Sequence, residues 1–460
     1  MRPNIILIHS DQHRFDCVGA NGHPFLKTPN LDRLAREGVN FTQAYTPSPI
    51  CSPERASILC GAWTTQHGCL SIPNTETYAP ADTKFTTFSH LLNTNGYDLG
   101  YVGKYHQEFP GTPLDYGFCD YIPEHAYGAW RKAQGLPDKP RANRWFGETD
   151  AAIKPEQSRI AWGASASIDL IKKYNAEKKP FLVRWDPSEP HLPNVVPEPF
   201  ASMYPPKSIP PWPSFGDALA GKPYIQAQQR RTWKVDDWKW EQWAPIVGRY
   251  LGEITLLDHE IGRILALLDE LKLADNTLVI YSTDHGDMCG AHGMIDKHFI
   301  MYDDVTRVPM MMRYPGELPA GKTCDAFVSH AIDIASTICS AAGITPPSTF
   351  AGKNLFDIVN GADAKPREDI FSAWHGGQFS SFTQRMVRNR EWKYVWNASA
   401  EDELYHMTDD PAELTNRATD TACKAVLSRM RKRLVAWMLE TNDVVLNEWT
   451  RSSLEDNTKI

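Results

Sequence analysis

Residues 4–10, Asn-Ile-Ile-Leu-Ile-His-Ser, form one short continuous apolar run, and residues 278–282, Leu-Val-Ile-Tyr-Ser, form another. Runs of this length, rich in β-branched residues, predict strands buried on both faces. Residues 39–45, 97–102, 181–185 and 308–314 read as strands in the same way. Between them the apolar positions recur at helical spacing. Ile246, Tyr250, Ile254, Leu257, Ile261, Leu265 and Leu268 predict a long helix over about 243–272. Shorter helices are predicted over 31–37, with Asn30 as cap and Gly38 as stop, and over 54–60, 85–93, 161–175 and 333–342. Residues 107–160 read as irregular and aromatic, and 187–213 as a proline-rich loop followed by closely spaced tryptophans.

Strands alternating with helices predict an α/β fold: a large, mostly parallel sheet sandwiched by helices. Residues 1–375 are assigned to this domain. Residues 376–460 read as a smaller α+β domain, with strands at 385–388 and 392–396 in a short antiparallel sheet and a helix at about 421–440. Ligand sites in open α/β sheets lie at the carboxyl ends of the strands. Asp11-Gln12, Lys104 with His106, His191, and Asp284-His285 all fall at such ends.

Charge narrows the partners. The 460 residues carry 48 basic and 56 acidic side chains, a net charge of −8. That balance favours neither nucleic acid nor an anionic membrane, so an anionic substrate must be attracted by local cations. No apolar run approaches the roughly 18 residues of a membrane span, and no signal peptide opens the chain. Nine cysteines without framework spacing suit a reducing compartment, and a cytoplasmic protein is expected. Self-association is left open.

The candidate chemistry starts at Cys51. It precedes the helix predicted from Glu54, where free N–H groups and the helix dipole favour an anion. Asp11, Gln12 and Asp284 offer hard oxygen donors suited to Ca²⁺ or Mg²⁺, and the imidazole of His285 also admits Mn²⁺. Lys104 and Lys297 are candidate clamps for an anion. His191, held between Pro190 and Pro193, is a candidate acid or base.

Cys51-Ser-Pro-Glu-Arg55 resembles the activation signature Cys-x-Pro-x-Arg of the sulfatases, in the alkaline phosphatase superfamily; Cys60 stands where that family usually has Thr. Gly103-Lys104-Tyr105-His106, Pro190-His191-Leu192-Pro193 and the stretch from His292 to Lys297 are similar to further elements of the same family. So is the run from Glu403 to Asn416, a structural motif there. The resemblance implies that a formylglycine-generating enzyme converts Cys51 to formylglycine. It also implies a divalent cation, usually Ca²⁺, bound by Asp11, Gln12, Asp284, His285 and residue 51.

The implied reaction is a two-step hydrolysis of a small anionic sulfate ester. The hydrated aldehyde attacks sulfur, while Lys104, Lys297 and Arg55 offset charge. His191, with Lys297, protonates the leaving alcohol, and His106 takes the proton that lets the aldehyde re-form. His13, Arg14 and His292 adjoin these motifs, and Arg14 and His292 are candidate substrate contacts. Tryptophans 212–243 with Trp130 or Trp145 are candidate walls of a sugar-binding or aryl-binding mouth, although packing within their own loops is the simpler reading. A sulfated sugar is the first substrate expectation and an aryl sulfate the second. The competing readings are a phosphonate monoester or phosphodiester hydrolase, and an inactive sulfated-glycan binding protein with Cys51 unconverted.

Overall fold

Ile5 and Leu7 pack into the core on one face of a sheet, Ile6 and Ile8 into the core on the other, and all four are buried. They belong to strand β1 (Asn4–Ser10), near the middle of an eight-stranded sheet in the computed structural model. The structure describes residues 2–72, 85–107, 109–141, 143, 145–377 and 381–459. The other strands of this sheet are β2 (Val39–Phe41), β3 (Asp98–Gly103), β4 (Asp120–Pro123), β5 (Phe181–Asp186), β6 (Thr277–Thr283), β7 (Met310–Arg313) and β8 (Lys322–Cys324). Their order is β8-β2-β7-β6-β1-β5-β3-β4. All pairings are parallel except those of β7, which runs antiparallel to β2 and β6.

Helices cover both faces. Helix α1 (Pro29–Glu37), α3 (Arg159–Glu177) and α5 (Trp240–Glu270) pack with Ile6 and Ile8. Helix α2 (Cys51–Cys60) and α6 (His330–Ala341) pack with Ile5 and Leu7. A run buried on both sides is what the continuous apolar pattern of β1 requires. Among the described residues, no helix is long and apolar enough to cross a membrane.

A second, antiparallel sheet forms the smaller C-terminal domain: β9 (Ile370–Gly377), β10 (Ser381–Arg388), β11 (Trp392–Asn397) and β12 (Glu403–His406), in that order. Helix α7 (Lys424–Glu440) packs on it through Leu427, Leu434 and Met438. The Glu403–Asn416 motif joins this domain to the first: Glu413 accepts the backbone N–H of Asp303 at 2.7 Å and pairs with Lys393 at 2.8 Å.

Four expectations are corrected. The run 39–45 is two strands, since Ala44–Tyr45 leaves the main sheet and pairs with Val328–Ser329; the polar Thr42-Gln43 step interrupts the apolar run. Thr28, not Asn30, precedes α1, with Pro29 in its first turn. Asp258 of α5 reaches across to take the N–H groups of Asn30 and Leu31, a capping role filled from another helix. The helix expected from Phe85 starts at Phe88, capped by the Thr87 side chain. Finally, 107–160 is not irregular throughout: it contributes edge strand β4, the helix Ala126–Ala133 and the strand Glu148–Thr149.

Candidate active site

Cys51 opens α2, and all ten residues of that helix are buried. Its Sγ lies 3.3 Å from His285 Nε2, 3.8 Å from Asp11 Oδ1 and 3.7 Å from Lys104 Nζ. Asp11 directly follows β1, Asp284 and His285 follow β6, and Lys104 follows β3, so three strand ends converge on one helix start. Gly103 makes the approach of β3 feasible. Its φ is +107°, and a Cβ there would meet the Asp186 carbonyl at 2.1 Å.

Arg55 lies one turn after Cys51 and ties the cluster together. Its guanidinium donates to Asp11 at 3.1 Å, Asp284 at 2.9 Å and Asp186 at 2.6 Å, and all four side chains are fully buried. Asp186 also accepts from Arg184 and from the Tyr101 hydroxyl, each at 2.7 Å. Sequence reasoning passed over Asp186, although it ends β5 as Asp11 follows β1.

The charges are strongly interdependent. Burial and the Cys51 sulfur oppose ionisation of Asp11, yet Lys104, His191 and Arg55 hold its carboxyl far below the usual range. Burial likewise opposes ionisation of Cys51, and Lys104, Lys297 and His285 overcome it, pulling the thiol well below its ordinary value. Burial and Asp11 push Asp284 up. His285 is pushed up to about 9: burial works against this, and Asp284 outweighs it.

Ligand atoms of Asp11, Cys51, Asp284 and His285 all lie within 4.8 Å of one another. Two carboxylates, an imidazole and residue 51 fit a divalent cation. The raised Asp284 marks a place where buried negative charges crowd and a cation would relieve them. His285 Nδ1 donates to the Gly286 carbonyl at 2.9 Å, which leaves Nε2 directed at the cluster.

The Gln12 amide is bonded to three neighbouring side chains. Its oxygen accepts from Lys297 at 2.8 Å, and its nitrogen donates to Asp287 at 2.6 Å and Asp296 at 3.1 Å. Lys297 Nζ is also 2.6 Å from His191 Nε2. Lys297 is flanked by backbone in the left-handed region at Asp296 (φ 68°) and His298 (φ 68°). Asp296 braces that strained turn by accepting from His298 and contacting Lys297.

A cavity of about 390 Å³ opens over the cluster. Cys51, His106, His191 and Lys297 line it, together with Asp296, His298 and Trp374, which sequence reasoning did not single out. Arg14 and His292 do not line it. Arg14 binds Asp16 and Asp304, at 2.7 and 2.6 Å. His292 Nδ1 donates to Asp217 at 2.7 Å, and the ring stacks on Tyr302 with centroids 4.0 Å apart. His13 is bound to Tyr281 and the Cys17 carbonyl, and burial lowers it to about 4.

Of the candidate wall tryptophans, Trp145 and Trp233 line the cavity. The others pack elsewhere: Trp212 and Trp240 donate to the carbonyls of Cys289 and Ile209, Trp238 and Trp243 pack on each other, and Trp130 stacks on Tyr127.

The sequence profile of the sulfatases matches residues 3–344. This chain belongs to the sulfatase family. A second profile, the C-terminal part of N-sulphoglucosamine sulphohydrolase, matches residues 290–440. The sulfatase is 29% identical to an arylsulfatase of Clostridium perfringens, over 95% of this chain and 94% of that one. It is 24% identical to an N-acetylglucosamine-6-O-sulfatase of Bacteroides thetaiotaomicron, over 96% and 86% of the two chains. Among solved structures it is similar to the phosphonate monoester hydrolase of Agrobacterium radiobacter, with a TM-score of 0.83 and 26% identity over 97% and 99% of the chains.

Proposed function

We propose that this sulfatase hydrolyses the sulfate ester of a sugar to the alcohol and inorganic sulfate, with aryl sulfates as the second substrate class. The observation that carries this reading is the convergence of Cys51 with Asp11, Asp284 and His285, with Lys104 3.7 Å from the Cys51 sulfur and Lys297 in the wall of the same cavity. The kinship with an N-acetylglucosamine-6-O-sulfatase favours the sugar.

Cys51 is matured to formylglycine by a formylglycine-generating enzyme, and the hydrated aldehyde supplies the nucleophilic hydroxyl. Asp11, Asp284, His285 and residue 51 hold a divalent cation, for which we propose Ca²⁺; Mg²⁺ and Mn²⁺ suit the same donors. That ion, when bound, makes the attacking hydroxyl more acidic and offsets charge on the ester. The remaining work belongs to the chain's own side chains. Lys104 and Lys297 bind the sulfate oxygens. Arg55 fixes Asp11 and Asp284 in place. Lys297 and His191, in contact at 2.6 Å, deliver a proton to the leaving oxygen. His106 removes the proton from the second hydroxyl of residue 51, which releases sulfate. Gln12, bound to Lys297, aligns that ammonium. Nine cysteines without framework spacing favour a cytoplasmic setting.

A phosphonate monoester hydrolase activity is the second reading, favoured by the similarity to the Agrobacterium enzyme. Paired assays with an aryl sulfate and an aryl phosphonate separate the two, and faster cleavage of the phosphonate would displace the first. Mass spectrometry of the peptide bearing residue 51 tests the nucleophile. Exchange of thiol for aldehyde removes about 18 Da, a covalent change that alters the chemistry of the site. Unmodified cysteine in protein from its native host would refute it.

A further inference from the structure

Trp145 is 52% exposed and lines the cavity that holds Cys51. It meets Trp233 edge-to-face, with centroids 6.4 Å apart and planes at 80°. Both indoles are fixed relative to the groups that act on the leaving oxygen. The loop of Trp145 continues into Glu148–Thr149, which pairs in parallel with Val195–Val196, just after His191. Glu148 N–H donates to the Asn194 carbonyl at 3.1 Å, and Arg249 donates to the Phe146 carbonyl at 2.8 Å. Gly147 (φ +76°) allows this closeness, since a Cβ there would meet the Asn194 carbonyl at 2.3 Å.

Trp233 ends helix α4 (Tyr224–Trp233). From that helix Gln229 donates to the carbonyls of Ile295 and Lys297, each at 2.9 Å. One tryptophan is thus anchored to the loop of His191 and the other to the loop of Lys297.

We infer that Trp145 and Trp233 form the subsite for the ring of the alcohol that carries the sulfate, and so set a preference for pyranose sulfates over small alkyl sulfates. The inference rests on the sulfatase reading above. A pyranose presents a face of C–H groups and an edge of hydroxyls. An indole covers the first while leaving the second in water. The charge distribution agrees: Lys297 and His191 lie in contact with each other in the wall shared with Cys51, while Leu192, Trp145 and Trp233 supply apolar surface. A sulfate held at the cationic end leaves its ring against the indoles.

The test uses full-length protein with residue 51 converted. Specificity, kcat/KM, is measured on methyl glucoside and galactoside monosulfates and on n-propyl sulfate, which has no ring to stack. In W145A the ratio of the best sugar sulfate to propyl sulfate falls about tenfold, mainly through KM, and W145F recovers most of it, as loss and return of one aromatic contact require. Circular dichroism of W145A checks that the exposed substitution leaves the fold intact. A W145A ratio within about twofold of wild type, with active wild-type enzyme, overturns the subsite alone. A converted wild type that releases sulfate from 4-nitrophenyl sulfate but from none of these sugar esters overturns the subsite, and one that releases it from neither overturns the sulfatase reading itself.

Discussion

Lys297 Nζ lies 2.6 Å from His191 Nε2, while Nδ1 of the same imidazole faces the Leu192 carbonyl at 2.5 Å. A carbonyl only accepts, so Nδ1 carries the proton and Nε2 receives the ammonium's hydrogen bond. In the proposed reaction the proton donor to the leaving group is this pair of residues. His191→Ala is expected to lower kcat on a sugar sulfate by about 10²–10⁴-fold, the usual worth of general acid catalysis. The loss on 4-nitrophenyl sulfate, whose phenolate departs readily without a proton, is expected to be less than about tenfold. Equal losses on both substrates would remove His191 from proton transfer.

Arg55 is the sole side chain seen to bridge Asp11, Asp186 and Asp284 among the described residues, and burial is complete for all four. Arg55→Ala leaves three buried carboxylates without that partner. The expected cost is about 3–5 kcal/mol in urea unfolding, the range for breaking a buried ion pair. A cost below about 1 kcal/mol, typical of surface pairs, would mean that Arg55 does not hold the cluster together.

Removal of divalent cations is expected to lower the melting temperature, because ligand atoms of Asp11, Cys51, Asp284 and His285 converge within 4.8 Å in a fully buried cluster. Added Ca²⁺ should restore it in a concentration-dependent way, as any ligand that binds only the folded state does. Asp284→Asn should abolish that response. A melting curve indifferent to chelator and to Ca²⁺ would contradict the proposed metal centre.

Glu253 offers a pH test away from the cation cluster. It accepts from Asn194 at 2.7 Å, and burial, then Glu189, pushes it up from 4.5 to about 8; Lys139 and Arg159 only partly offset this. The folded state therefore keeps a proton that the unfolded chain releases. Its contribution to stability is full below pH about 4.5 and is lost as pH rises towards about 8. Urea midpoints should fall between pH 5 and pH 8 less steeply in Glu253→Gln than in wild type. An identical pH profile would contradict the raised value.

Much of the site was legible because its residues sit at the ends of strands that announce themselves. β1 and β6 are continuous apolar runs, and Asp11, Asp284 and His285 follow them directly. The helix beside Cys51 was readable from Glu54 onward, since the residues after Pro53 contain no breaker, but it begins three residues earlier, at Cys51 itself. Trp145 was harder to place. It is held by pairing between Glu148–Thr149 and Val195–Val196, two-residue strands with no periodic signal. Arg14 and His292 adjoin site motifs in sequence yet turn to Asp304 and Asp217, because proximity along the chain does not determine which face of a loop a side chain takes. Asp296 escaped notice because its part is to brace a strained turn, and no local pattern encodes that.

The central claim is tested most directly by release of inorganic sulfate. Wild-type protein matured together with a formylglycine-generating enzyme, and Cys51→Ala prepared identically, are incubated with sulfated monosaccharides and assayed for free sulfate. Sulfate release is expected from the wild type and none above background from Cys51→Ala. Release by Cys51→Ala at the wild-type rate, or none from either protein with any ester, would contradict it.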